Sequence, residues 1–397
     1  MYLLALNPTD SVSEGFLPAA RSLGLAVTLL TDQPASHRAR HPELEVVACD
    51  VRDFREVIAV VSARERPDAV FTNSDHLQTQ AALAADYFGL PGKDWRATLR
   101  TKDKALLRRH LAAAGTDRVR ALEIPAGTDP ADALGDLHAL PYPCVVKPRE
   151  GVASEDVVRV DTPAQLRARC ARIRARRPGD ALVVEEYLAG ELHTLETLGD
   201  HDVRHVLGGF RTRLSAAPYF VEERLTYLAE LPPAVLDQVL TALDALGVGF
   251  GACHTEFVVD GAGRVRIIEV NYRAIGDQCD LLLAELLDVP LFAHVLRTHL
   301  GEPLPLDLGA RTDGAARLDY PCARRDGTLT AAPDRTDLVA DGVRLAYRPL
   351  HAVGERLRVT HTNRDLLGVV RATGRDRAAV DRAVEGFLAD RCWEITP

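Results

Sequence analysis

The first 95 residues alternate short apolar runs with helical patterns, and this alternation constrains the fold more than any other feature of the chain. The apolar runs cover residues 2–6, 26–30, 46–48 and 69–72, with helical patterns such as residues 54–64 between them. Such spacing predicts a doubly wound parallel sheet, because parallel strands need a crossover connection. Residues 73–75, Asn-Ser-Asp, follow a predicted strand, so we expect them to cap the next helix at the ligand-binding edge of the sheet.

The turn after the first predicted strand argues against a nicotinamide cofactor. Asn7-Pro8-Thr9-Asp10 stands where a dinucleotide-binding fold carries GxGxxG. An oxidoreductase built on these residues is therefore poorly supported.

Bulk properties narrow the class of protein. The chain of 397 residues has a net charge of -9, which disfavours a nucleic-acid partner. Its seven cysteines show no CxxC spacing, which is typical of thiols in a reducing compartment. No apolar run reaches membrane-spanning length, and residues 1–6 lack a basic leader and fit a first strand. We therefore predict a cytoplasmic protein without a membrane partner.

Lysine is rare in this chain, with four lysines against 44 arginines. Lys is a compact point charge and Arg a planar fork, so a retained Lys can have a role that Arg cannot fill. Lys102 and Lys104 are close in sequence, and Lys147 ends an apolar run. Lys93 follows Pro91-Gly92, and we predict that it is an exposed turn residue. A codon bias toward Arg is the alternative explanation.

Two short segments could bind a nucleotide. Lys147 is followed by a loop from Gly151 to Ser154, whose backbone N–H groups and hydroxyl suit phosphate oxygens. An ordinary hairpin turn is the alternative. Further on, an apolar strand runs into Glu185 and Glu186, which are either site residues or an exposed strand end.

The most specific pattern is a predicted hairpin that turns at residues 260–263. Glu269, Asn271 and Arg273 share one face of its second strand, since strand side chains alternate, and Glu256 lies on the facing strand. Carboxylate and amide oxygens suit Mg²⁺ that bridges nucleotide phosphates, and Arg273 would stabilise charge on a transferring phosphoryl group. A solvated strand face is the alternative.

Together these residues resemble the ATP-grasp superfamily. The resemblance covers roughly residues 1–300 and rests on the order and spacing of Lys104, Lys147, Glu185-Glu186-Tyr187-Leu188, Glu256 and Glu269-Val270-Asn271-Tyr272-Arg273. It is strongest to carboxylate–amine ligases of the L-amino-acid ligase type. It implies a mixed α/β and α+β architecture: an N-terminal doubly wound α/β domain (1–95), an ATP-grasp domain (96–300) with a lid at about 115–188, and a C-terminal extension (301–397).

The resemblance also implies roles for single residues. Lys104, Lys147 and Ser154 would contact ATP phosphates, and Glu185 would accept a hydrogen bond from the adenine amino group. Glu186 and Leu188 would offer backbone groups to the adenine, and Glu191 would hold the ribose. Glu256, Glu269 and Asn271 would bind two Mg²⁺ ions, with Mn²⁺ as a substitute. Arg273 would steady an acyl phosphate, with Lys147 as the second catalytic residue.

The implied reaction joins a small carboxylic acid to an amine. The carboxylate would attack the γ-phosphate of ATP, releasing ADP, and the amine would then displace phosphate from the acyl phosphate. Amino acids or a small natural-product acid are the expected substrates, and a homodimer would fit the resemblance. The alternatives are an ATP-grasp carboxylase or nucleotide-biosynthesis enzyme, and a non-catalytic nucleotide-binding sensor.

The chain departs from the family pattern at two places. The phosphate loop has one glycine, Gly151, and two acids, Glu155 and Asp156, which are unfavourable near phosphate unless they face away. Leu225 stands where a His usually follows the Glu at position 222 by three residues.

Substrate contacts are predicted at four further residues. Arg211 and Arg213 alternate on one strand face and could hold a substrate carboxylate, or they could be solvated. Glu222 could meet an ammonium, and Gly276 lies where the acyl acceptor should enter. For His254, a structural role is favoured over that of a base for the amine.

Overall fold

The N-terminal region forms a four-stranded parallel sheet in the computed structural model, which describes residues 1–397 apart from the side chain of Ala139. Its strand order is β3-β2-β1-β4, with β1 Tyr2–Leu4, β2 Thr28–Thr31, β3 Glu45–Ala48 and β4 Val70–Phe71. The strands coincide with the four predicted apolar runs, so the doubly wound sheet is confirmed. Leu3 and Leu4 pack into separate hydrophobic clusters, because both faces of a parallel sheet are covered.

Helices cover this sheet and lead into the next region. They are α1 Leu17–Ser22, which continues a π-helical segment Ser11–Phe16, α2 Pro34–Arg40, α3 Phe54–Ser62, α4 Gln78–Tyr87, α5 Trp95–Lys102 and α6 Lys104–Ala114. A 3-10 turn, Asp75–Leu77, precedes α4, and Ser74 at its start makes no side-chain capping bond. The predicted cap is therefore wrong in detail. Asn73 instead accepts a hydrogen bond from Ala274 N, and Asp75 pairs with Lys102.

Helix α6 begins at an aspartate cap and ends at a glycine. Asp103 caps its first turn by accepting from Ala105 N and Leu106 N, and Gly115 ends it with a left-handed φ of 74°. Lys104 and Arg108, four residues apart, are both buried on one side of this helix. The helix thus directs two cations inward at its N-terminal end.

A separate antiparallel sheet lies within the predicted lid. Its order is β5-β8-β6-β7, with β5 Ala121–Ile124, β6 Cys144–Pro148, β7 Val158–Val160 and β8 Leu182–Glu186. The helices of this region are α7 Pro130–Leu134, the 3-10 turn Leu137–Ala139 and α8 Pro163–Arg176. Leu166, Cys170 and Ile173 form the apolar stripe of α8 that packs on this sheet.

The remaining strands form one large antiparallel sheet and a small one. The large sheet, called here the central sheet, has the order β14-β13-β9-β11-β12-β15-β20-β18-β17, with β10 beside β9. Its strands are β9 Glu191–Gly199, β10 Arg204–Val206, β11 Gly209–Leu214, β12 Glu222–Leu228, β13 Gly251–Val259, β14 Val265–Asn271, β15 Ala315–Asp319, β17 Thr336–Ala340, β18 Val343–Pro349 and β20 Gly368–Gly374. The small sheet contains β16 Gly327–Ala331, β19 Arg356–Leu357 and β21 Glu394–Thr396.

Helices α9 Pro233–Leu246, α10 Cys279–Leu287, α11 Leu291–His299 and α12 Arg377–Ala389 complete the fold, with a 3-10 turn at Asn363–Asp365. The C-terminal strands continue the central sheet, because β15 pairs with β12. Residues beyond 300 therefore share a sheet with the rest of the chain. None of the helices described for residues 1–397 is long and apolar enough to cross a bilayer.

Candidate active site

A central pocket of about 200 Å³ lies between the lid sheet and the central sheet. Twelve of the predicted site residues line it: Lys104, Lys147, Ser154, Glu185, Glu186, Leu188, Glu222, Glu256, Glu269, Asn271, Arg273 and Gly276. Glu191, Arg211 and Arg213 instead line an adjoining cavity. Pockets for small molecules usually measure about 300–1,000 Å³, so we expect the lid to move when a nucleotide enters.

Two acids face each other on the hairpin β13–β14. Glu256 and Glu269 are direct cross-strand partners, and a bulge follows at Phe257, which pairs with Ile267. Ile268 is the extra residue on β14, and both it and Glu269 reach the pocket. Bulges re-aim side chains in this way, so the local register brings the two carboxylates together.

Lys104 reaches these acids from the first turn of α6. Its Nζ donates to Glu269 Oε1 at 2.9 Å and to the Gly151 carbonyl at 3.0 Å. Burial lowers the pKa of Lys104, but the charge and hydrogen bond of Glu269, together with the charges of Asp75 and Glu185, outweigh burial and leave the pKa above its usual value. The lysine is therefore charged and connects the phosphate loop with the acidic hairpin.

A second buried ion-pair network surrounds Glu185. Lys147 Nζ lies 2.7 Å from Glu185 Oε2, and Arg108 donates to both oxygens, at 2.8 and 3.0 Å. Burial raises the pKa of Glu185, but the charges of Arg108 and Lys147 outweigh it and bring the pKa to about 2. The predicted adenine contact of this carboxylate would thus add to three existing interactions.

Arg108 was not identified from the sequence as a site residue. It is buried and also donates to the backbone carbonyl of Ile268 at 3.2 Å. Its position four residues after Lys104 was the available signal, since residues at this spacing share a face when they form a helix.

The two acids of the phosphate loop face away from the pocket. Glu155 pairs with Arg177 at 2.6 Å, and Asp156 pairs with Arg169 at 3.0 Å. The loop turns through left-handed residues, with φ of 57° at Ala153 and 54° at Ser154. These two residues adopt the conformation that glycines usually supply, at a cost of about 1 kcal/mol or more each.

His254 is fixed between two carboxylates. Its Nδ1 lies 2.8 Å from Glu196 Oε1 and its Nε2 lies 3.3 Å from Glu256 Oε1. Burial lowers the pKa of His254, but Glu196 and Glu256 outweigh it and raise the pKa to about 10. An imidazolium has no lone pair to accept a proton, so this geometry favours a structural role over that of a base.

Carboxyl groups also line the far end of the pocket. Glu222 and Asp277 lie there, and Asn363 from the C-terminal region accepts a hydrogen bond from Glu222 N at 3.1 Å. Burial raises the pKa of Glu222 to about 8, with further contributions from Glu256 and Asp277. Leu225, at the position of the missing His, adds an apolar surface to the same end.

The prediction of an exposed Lys93 was wrong. Lys93 is 8% exposed, and its Nζ donates to Gln78 Oε1 at 2.8 Å and to the Tyr272 carbonyl. Its Nζ also lies 4.5 Å from the centre of the Tyr272 ring. The turn after Pro91 packs against the end of β14, so this lysine contacts the residue between Asn271 and Arg273.

The residues around Glu256 fit a hard divalent cation. Two carboxylates and an amide converge, with Asn271 Nδ2 at 3.5 Å from Glu256 Oε1, and oxygen donors of this kind suit Mg²⁺. No group of three or more His, Cys, Asp or Glu that could hold a metal occurs among the described residues. A cation here would therefore also need Asn271 and ligands from a substrate.

Comparison with known proteins agrees with this fold. Residues 140–281 match the model of the ATP-grasp domain. The chain has the ATP-grasp fold that its sequence predicted. Across 100% of the chain it superposes on 99% of an L-amino acid ligase from Bacillus licheniformis, with a TM-score of 0.81 and 22% identity.

Other similar proteins are more distant or less well characterised. A phosphoribosylglycinamide synthetase from Anaerococcus prevotii has a TM-score of 0.72 at 14% identity, covering 100% of this chain and 99% of that one. The uncharacterized protein y4rH of Sinorhizobium fredii is 26% identical over 415 residues, covering 100% of this chain and 83% of y4rH. The ATP-grasp enzyme fsqD of Aspergillus fumigatus is 27% identical over 299 residues, covering 67% of this chain and 48% of fsqD.

Proposed function

We propose that this protein is an ATP-dependent carboxylate–amine ligase that releases ADP and phosphate. The observation that carries the proposal is the convergence of Lys104, Glu256, Glu269, Asn271 and Arg273 in one pocket under the lid. Binding a nucleotide does not by itself require such a set, whereas phosphoryl transfer needs charge neutralisation at the reacting atoms.

Two lysines would bind the ATP phosphates. Lys104 and Lys147 are paired with Glu269 and Glu185 and lie in the same pocket. Phosphate oxygens would share these ammonium groups, while Ser154 and the loop backbone would add donors. Glu186 and Leu188 line the pocket next to Lys147 and would contact the adenine.

Glu256, Glu269 and Asn271 would hold two Mg²⁺ ions, for which Mn²⁺ could substitute. Bound metal would supply neutralisation of the phosphate charge. The chain itself would orient the reactants, since Arg273 lines the same pocket beside Gly276.

Two bond exchanges make up the reaction. A carboxylate oxygen attacks the γ-phosphorus, the bond to the bridging oxygen breaks, and ADP leaves with the electron pair. The amine nitrogen then attacks the acyl carbon, loses a proton and expels inorganic phosphate. Arg273 would stabilise the negative charge on the acyl phosphate.

The far end of the pocket favours an amino compound as the acceptor. Glu222 and Asp277 are acids there, and Leu225 and Ile275 add apolar surface. An ammonium beside Glu222 would favour its charged form over the protonated one. These groups suit an ammonium next to a small apolar side chain. The same two acids would repel the phosphate of a phosphoribosyl acceptor, which makes the nucleotide-biosynthesis alternative less suitable.

The test is nucleotide release from Mg-ATP across a matrix of amino acids and small carboxylic acids. We expect ADP and phosphate in equal amounts, only with particular acid–amine pairs, and we expect hydroxylamine to trap the acyl phosphate as a hydroxamate. Release of AMP and pyrophosphate would contradict the mechanism. ATP binding without turnover for every pair would favour the sensor alternative.

A further inference from the structure

A second cavity, of about 740 Å³, adjoins the central pocket. We call it the arginine-lined cavity, because its walls include Arg159, Arg211, Arg213, Arg224, Arg317 and Arg377. Arg211 and Arg213 alternate on β11 with Thr212, which lines the central pocket. Their side chains therefore point to the opposite face of the strand.

The register of the central sheet concentrates these arginines. Two adjacent rows of cross-strand partners cross β11, β12 and β15, namely Arg211–Thr226–Arg317 and Arg213–Arg224–Asp319. Cross-strand partners share a face of the sheet, and like charges placed directly opposite repel each other. Four guanidinium groups thus occupy one small area.

Acidic residues balance part of this charge. Asp319 pairs with Arg224 at 3.0 Å and with Arg317 at 2.6 Å, and Glu223 lies 3.6 Å from Arg213. Asp381 and Glu385, which also line the cavity, lie 2.9 and 3.1 Å from Arg317. Among the described residues 1–397, Arg211 and Arg377 form no ion pair with a carboxylate. These two guanidinium groups are therefore the ones in the cavity wall that remain available to an anion.

Arg377 is held in place by neutral acceptors. Its guanidinium donates to the Ala316 carbonyl at 3.0 Å and to the Tyr227 carbonyl at 2.7 Å. Burial lowers the pKa of Arg377, Asp381 opposes this effect, and the charges of Arg211 and Arg317 add to it. An anion would relieve this repulsion, and the fixed guanidinium needs little reorganisation to bind one.

We propose that the arginine-lined cavity binds a small organic anion, whose carboxylate or phosphate group lies between Arg211 and Arg377. Guanidinium groups bind both anions through paired N–H donors. The cavity volume is that of a metabolite site, so the ligand is larger than a bare ion. Tyr187, Leu192 and Phe220 line both cavities, so the bound anion would contact the wall of the central pocket.

The experiment is calorimetric titration of the full-length protein with succinate and with inorganic phosphate, each with and without Mg-ADP. We expect saturable binding of at least one anion, and a Kd raised at least about tenfold by Arg211→Gln and by Arg377→Gln. Arg21→Gln is the matched control, because Arg21 is 71% exposed and does not line the cavity. Tighter binding of succinate would indicate a carboxylate ligand, and tighter binding of phosphate a phosphate ester.

Three outcomes would overturn the proposal: no saturable binding of either anion, an unchanged Kd in Arg211→Gln, or loss of binding in Lys147→Gln, which would place the anion in the central pocket. Arg211→Gln is decisive, because Arg211 is exposed and its replacement leaves the backbone contacts of Arg377 intact. The proposal does not depend on the ligase activity. Failure of ATP turnover with retained anion binding would affect only the proposed function.

Discussion

Glu256 and Glu269 face each other across β13–β14, and Lys104 from a helix 165 residues earlier donates to Glu269. Glu269→Ala should lower ATP turnover by at least about 100-fold. The substitution removes both a proposed metal ligand and the carboxylate that pairs with Lys104. The measurement is ADP release over a range of Mg²⁺ concentrations, with Glu43→Ala as the surface control. Unchanged turnover would contradict the metal-site assignment.

Lys147→Arg should raise the apparent KM for ATP by about tenfold or more. Lys147 is 5% exposed and shares Glu185 with Arg108, so the wider guanidinium cannot occupy the same volume without displacing a neighbour. The kinetics should be compared with Arg21→Lys, which changes an exposed cation. A KM for ATP close to that of the wild type in Lys147→Arg would mean that codon bias alone explains the scarcity of lysine.

Lys93→Met should lower kcat more than it changes the KM for ATP. The variant leaves Gln78 Oε1 and the Tyr272 carbonyl without their donor, at a cost of about 1–3 kcal/mol, and loosens the end of β14. Thermal unfolding of the variant, measured together with its kcat and its KM for ATP, tests this prediction. Equal kcat values for the variant and the wild type would mean that Lys93 only stabilises the packing of its turn against β14.

The same lysine should leave a signature in the pH dependence of stability. Burial lowers the pKa of Lys93 from 10.5 to about 7, so between these values the unfolded chain binds more protons than the folded one. The contribution of Lys93 to the free energy of unfolding should therefore rise with pH over this interval. Urea unfolding from pH 7 to 10 should show a smaller rise for Lys93→Met.

The contribution of Glu222 to the free energy of unfolding should change with pH in the opposite direction, at lower pH. Its pKa is raised from 4.5 to about 8, so the folded state binds more protons in this interval. Its stabilising contribution should be complete below about pH 4.5 and be lost as the pH rises toward 8. Without Mg²⁺, urea unfolding of Glu222→Gln should lack that decline. An identical decline in the variant would assign it to other groups.

Asn363→Ala should raise the KM for the amine more than the KM for ATP. Its side chain accepts a hydrogen bond from Glu222 N at 3.1 Å, while its backbone N donates to Ala153 O at 3.2 Å. The substitution therefore removes only the contact with Glu222, where we expect the amine to bind. Deleting the C-terminal region is a poorer test, because β15 and β20 belong to the central sheet. Equal changes in both KM values would indicate a general loss of lid closure.

Patterns local in sequence were predicted well. The four parallel strands and the turn of the β13–β14 hairpin follow from hydrophobic period and turn residues, which act over a few positions. The order of Lys104, Lys147, Glu256 and Glu269 predicted the ATP-grasp fold, and twelve of fifteen predicted site residues do line one pocket.

Contacts between distant segments were not predicted. The burial of Lys93 depends on β14, the role of Arg108 on the lid, and the outward direction of Glu155 on arginines of other segments. The face on which Arg211 lies could not be read from alternation alone, because alternation separates two faces without saying which one lines the pocket.

The sequence by itself determined which segments become strands and helices, and which residue types are available for phosphate and metal chemistry, because both depend on local backbone and side-chain chemistry. Tertiary structure alone decided which charges are neutralised. Asp156 and Glu269 are both acids near predicted phosphate contacts, yet one pairs with Arg169 outside the pocket and the other with Lys104 inside it. That difference arises because an ion pair depends on distance in space, which only packing of the lid and the central sheet sets.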